Sequence, residues 1–151
     1  MCTTAAGTTH RKTLAGLNLG AVGRIGAVHT SMRSAGGAMT NSTRALSTTA
    51  ATSLLGVVRF SALRTTATMA RGSAGYRGAG SVHFVDLRIA GRSITATPGR
   101  DQTIRVPGLA TVELNIQHAS HTLGLHRMSV TAMRITILRN HIGLPRGTII
   151  I

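Results

Sequence analysis

The stretch Val106–His126, VPGLATVELNIQHASHTLGLH, constrains the fold more than any other part of the chain. A proline–glycine turn marker opens it, and Ala110–Ile116 then alternates apolar and polar side chains, the period of a half-buried strand. The flanks keep the same rhythm. Val82–Ile89 (VHFVDLRI) is a short apolar strand candidate, Gly91-Arg92 a turn, Ser93–Thr97 an alternating run, Pro98-Gly99 a second turn and Thr103–Val106 another strand. Gln117–His121 is read as a histidine-bearing loop and Thr122–His126 as a weak strand. Met133–Leu138 (MRITIL) alternates, Gly143–Gly147 turns, and Thr148–Ile151 is a final apolar strand. A helix over Met128–Asn140 is the local competitor. Five or six short, evenly spaced strands predict a mostly β domain over residues 81–151, an OB-like barrel.

Such a core is small. Tyr76, Phe60 and Phe84 are the only aromatics besides histidine, so Val, Ile, Leu and Met must fill it. A domain of this size buries a modest fraction of its surface and gains from a partner. Cys2 is the only cysteine, so the chain has no thiols from which to build a disulfide framework, a zinc cluster or an iron–sulfur site, and no cofactor is implied.

Charge narrows the partner. Seventeen Lys and Arg face three acids, a formal net charge of +14. Residues 1–85 hold nine basic residues and no acid, and residues 86–151 hold eight Arg against Asp86, Asp101 and Glu113, so both parts are basic. Self-repulsion of this size points to a polyanion, and sixteen of the seventeen basic residues are Arg, whose planar fork suits phosphate. A GC-rich genome would give the same Arg bias.

Residues 1–60 are rich in Ala, Thr, Ser, Gly and Arg without an acid, the character of a mitochondrial presequence or a disordered extension. Thr13–His29 is their most apolar part, but Arg24 and four glycines make it a poor membrane-spanning helix. Gly16, Gly20, Gly23 and Gly26 lack the spacing and the downstream acid of a nucleotide-binding fingerprint. Residues 61–80 end in ARGSAGYRGAG (Ala70–Gly80), where glycines would let the backbone lie along phosphates while Arg and Tyr76 supply contact and stacking. The same composition also fits a flexible linker.

ATVELNIQHASHTLGLH (Ala110–His126) resembles a stretch of the N-terminal, oligonucleotide-binding-fold half of large-subunit ribosomal protein L two, with Ala110, Thr111, Val112, Glu113, Leu125 and His126 matching. In the same order, YRGAG (Tyr76–Gly80) with FVDLR (Phe84–Arg88) resembles that family's glycine run and the block after it. MRITIL and IGLPRGTII resemble its later strands, so the resemblance covers Arg71–Ile151. The family's asparagine–arginine and histidine–lysine pairs around the glycine run are absent, and Ala90–Arg105 is an extra hairpin-like insertion.

The resemblance implies a structural protein of the mitochondrial large ribosomal subunit, in the matrix, bound to large-subunit ribosomal RNA and neighbouring ribosomal proteins. The family's second half would be encoded separately. Its RNA-contact residues would be Arg71, Arg77, Gly78, Gly80, Arg88, His118, His121 and Arg134. No small-molecule substrate and no transmembrane segment are expected.

Catalysis is not expected. Three acids offer little for paired acid–base work, and Asp86, His118 and a serine form no recognisable triad motif. His118-x-x-His121 with His126 and His141 is a weak metal pattern without Cys or carboxylate partners, so no metal is assigned. A different class stays open: VHFVDLRIAGRSITATPGRDQTI also resembles the opening hairpin of a mitochondrial ferredoxin. With no cluster cysteines, such a domain would be a non-catalytic accessory subunit of a respiratory complex. A helix packed across the sheet would mark that alternative; a closed barrel would mark the ribosomal one.

Overall fold

The computed structural model describes residues 7–37 and 40–151. It is mostly β, as the alternation predicts, and every strand pairing is antiparallel. The strands form two sheets. The larger, nine-stranded sheet contains β1 (Thr9–Leu14), β2 (Leu17–Asn18), β3 (Gly23–Ile25), β4 (Val28–Gly36), β5 (Asn41–Leu54), β6 (Val58–Gly72), β7 (Gly75–Val85), β8 (Arg88–Ile89) and β9 (Arg92–Ser93). The four-stranded sheet contains β10 (Gln102–Val106), β11 (Ala110–Thr122), β12 (Leu125–Ile137) and β13 (Ile149–Ile150) in that order.

One apolar layer lies between the sheets. Leu54, Val58, Phe60, Val82, Phe84, Leu87 and Ile89 come from the larger sheet and its turns, and Val112, Leu114, Met133, Ile135 and Ile137 from the smaller. Phe60 and Phe84 meet edge to face at 5.4 Å. Each fully buried aliphatic or aromatic side chain contributes roughly 1.5–3 kcal/mol, so this layer is what holds the sheets together.

The expected barrel is not found: no closed barrel forms among the described residues, and the strands of residues 81–151 are divided between two sheets. The stretch read as a disordered extension also differs, because Thr9–Leu14, Leu17–Asn18, Gly23–Ile25, Val28–Gly36 and Asn41–Leu54 are strands; its residues 1–6 and 38–39 lie outside the described residues. Threonine explains this. Thr43, Thr48, Thr49 and Thr52 are polar in composition yet good strand formers, and β5 and β6 keep one register from Asn41↔Arg71 to Leu54↔Val58. The loop boundaries shift too: Gln117–His121 is strand, continuous with β11, and Leu123-Gly124 is the hairpin turn where a weak strand was expected. Met128–Asn140 is not helical; its first ten residues belong to β12. Among the described residues the only helical element is a single 3-10 turn at Gly20–Val22, so no helix packs across either sheet.

Two long hairpins run past the core. Along β11, Ala110, Val112 and Leu114 face inward; Asn115 then takes φ 53°, and the inward positions change parity. Past it, Gln117 Nε2 donates to the Gly80 carbonyl at 3.0 Å, placing Gln117 against the larger sheet. Asn115 itself is buried with both ends of its amide bonded: Nδ2 donates to the Pro98 carbonyl and Oδ1 accepts from Gln117 Nε2. The same change of face brings His121 and its cross-strand partner His126 to the side of the β6–β7 hairpin.

Candidate nucleic-acid interface

The register of the larger sheet sorts its arginines. Residues directly opposite in an antiparallel ladder share a face. Because Val82 and Phe84 are buried against the smaller sheet, His83 points away from it, and so do the residues in line with it: Arg64, Thr48, His29 and Thr13. The neighbouring outer rows hold Arg11, then the directly opposed pair Arg33 and Arg44, and then Arg77. All five of these arginines are exposed, and no Asp or Glu occurs before Asp86.

At the other end of the same sheet a single row runs Arg24–Ser53–Arg59–Arg88–Ser93 across β3, β5, β6, β8 and β9. Arg24, Arg59 and Arg88 line an open groove of about 950 Å³, floored in part by Gly26, Ala50, Ala51 and Ser53. Asp86 also lines it, and its Oδ2 accepts a hydrogen bond from Ser61 Oγ at 3.0 Å. Among the described residues the ion pairs are Arg100–Asp101 at 3.2 Å and Arg134–Glu113 at 3.6 Å, so none of the three groove arginines is in one. Like charges directly opposite in a ladder repel. A row of this kind is stable only where anions or solvent screen it.

A second cluster sits where the hairpin ends meet. Arg71 and Tyr76 are cross-strand partners beside the β6–β7 turn, and His121 and His126 are partners beside the β11–β12 turn. The Arg71 guanidinium carbon lies 5.6 Å from the Tyr76 ring centre, Tyr76 stacks on His126 at 3.7 Å, and His126 stacks on His121 at 4.1 Å. Burial first, and the neighbouring His121 second, lower the pKa of His126 from the ordinary histidine value.

The residues expected to contact RNA therefore do not form one site. Arg77 and Arg88 lie on the outer side of the larger sheet, in different rows. Arg71 and His121 belong to the ring stack. His118 is exposed on β11, and Arg134 stands opposite Glu113, whose carboxylate neutralises it. Gly78 and Gly80 have a packing reason to be glycine. A Cβ on Gly80 would run into Val130 Cγ2, and one on Gly78 would come within 3.2 Å of Met128 Sδ, so both let β12 lie close over β7. Sequence reasoning missed Arg24 and Arg59, which were read as part of a leader. Nothing local marks them, because only the registers of four strands, β3, β5, β6 and β8, bring them beside Arg88.

Among the described residues no three His, Cys, Asp or Glu side chains gather as a metal-holding group. No helix among them is long and apolar enough to cross a membrane. No protein-family model, curated protein or solved structure matches the chain.

Proposed function

We propose that the chain is a non-catalytic RNA-binding protein whose arginine-bearing sheet face lies against the phosphates of a folded RNA. The observation that carries this reading is the row Arg24–Ser53–Arg59–Arg88, three in-line arginines without a carboxylate partner along one groove. Phosphate oxygens accept from guanidinium forks in pairs, and each neutralised phosphate releases counterions. Arg11, Arg33, Arg44, Arg64 and Arg77 extend the same face. The layout is one of position and charge, without a base-reading element, so shape and phosphate spacing would set the placement.

The resemblance to ribosomal protein L two supplies the setting: large-subunit ribosomal RNA of the mitochondrion, with neighbouring ribosomal proteins as partners. Support for RNA binding comes from the charge layout and not from a barrel, which the described residues do not form. The helix that would favour the ferredoxin-like accessory subunit has no counterpart among the described residues. Sedimentation of mitochondrial lysate with and without ribonuclease tests the setting, following the chain by mass spectrometry. Comigration with the large subunit, lost on ribonuclease treatment, is the expected result. Migration in a ribonuclease-insensitive membrane complex would overturn it.

A further inference from the structure

We infer that the ring stack at the joined hairpin ends is an unfinished column whose open position, the outer face of His121, takes one nucleobase of a single-stranded nucleic acid. This rests on the RNA reading above and adds which form of RNA is held there. The column already contains a cation and three rings in order: Arg71, Tyr76, His126 and His121. One end is closed by the Arg71 guanidinium. At the other end His121 is exposed, and among the described residues no further ring stacks on it.

The backbone leaves room at the same place. β10 pairs with β11 only as far as Gln102↔Leu114, and Arg100 and Asp101 bond the backbone of Gln117 just beyond. Past Gln117, no strand among the described residues flanks β11 on that side, which leaves the edge next to His121 open among them. A base placed there would continue the existing parallel-ring spacing. Base–aromatic stacking tolerates any base, because each has a π face, but it requires the base to be out of a duplex.

The test uses the full chain with three probes: a single-stranded adenosine RNA carrying one 2-aminopurine, the same strand with an abasic position instead, and heparin. Stacking quenches 2-aminopurine. The expected result is quenching by the wild type and by His121→Phe, with His121→Ala losing the quenching and binding the strand at least about fivefold more weakly. Heparin affinity should be the same for all three proteins. The inference is overturned if His121→Ala binds the strand within twofold of wild type, if it loses heparin in equal proportion, or if the abasic strand binds as tightly. Failure of the wild type to bind heparin would instead overturn the phosphate-face reading, and the inference with it.

Discussion

Arg59 and Arg88 stand directly opposite each other on β6 and β8, and neither is in an ion pair with a carboxylate of the described residues. Ser53 and Arg24 continue their row. Without a bound anion this arrangement opposes folding; with one it becomes a preformed site. Arg59→Ala or Arg88→Ala is therefore expected to leave the free protein equally stable or more stable at low salt, by up to about 1 kcal/mol, the range of a cross-strand pair. Thermal melts in low and high salt check this. The gain should shrink as salt screens the pair.

Gly80 faces Val130 with no room for a Cβ. Gly80→Ala is expected to destabilise the fold by about 1–3 kcal/mol through overpacking. Val130→Ala in the same chain should recover part of that loss, because it removes the Cγ2 that the new Cβ meets. Gly78→Ala, whose nearest neighbours are the flexible side chains of Met69 and Met128, should cost less. Chemical denaturation of the three variants orders them.

Leu123 opens the β11–β12 turn at φ 48° and is fully exposed, followed by Gly124 at φ 77°. Positive φ at both positions suits Asn-Gly, and a leucine there is strained without burying anything in exchange. Leu123→Asn should stabilise the hairpin by about 1 kcal/mol. Hydrogen exchange along Gln117–Met128 would show the gain locally.

His126 carries a pKa below its ordinary value, from burial and then from His121 beside it. Tyr76 and, beyond it, the Arg71 guanidinium face the same column. The folded state therefore holds His126 neutral at a pH where the unfolded chain is protonated, so stability rises with pH across that window. Its contribution is complete above the unfolded histidine value, near 6.5, and falls away as pH drops through the lowered folded value. Melting temperature should decline on acidification from about pH 7, and His126→Phe should flatten that decline. An equal decline in both proteins would assign the effect to other groups.

How much of this was legible in the sequence differs from element to element. The alternation of Ala110–Ile116 and Met133–Leu138 with the Pro107-Gly108 turn located β11, β12 and their inward faces, because period and burial coincide there. The thr-rich N-terminal strands were not legible. They bury few apolar side chains, and what orders them is the continuous register of β4, β5 and β6. The change of face at Asn115 was equally hidden, since it depends on a positive φ and on Pro98 and Gln117 accepting and donating around one amide. Of the site, Arg88 and His121 were visible as candidate residues; Arg59 was read as part of a leader because long-range register, not spacing, brings it beside Arg88, and His126 was grouped with His121 only as a weak metal pattern.

The most direct measurement is the salt dependence of RNA binding by the wild-type chain and by Arg24→Ala/Arg59→Ala/Arg88→Ala. Each protein is titrated with a structured RNA over a range of salt concentrations. If the row neutralises phosphates, the triple variant binds more weakly at every salt concentration, and its log–log slope is shallower by about 2–3, the loss of three contacts. An unchanged affinity and slope in a variant that still folds would contradict the assignment of that face to RNA.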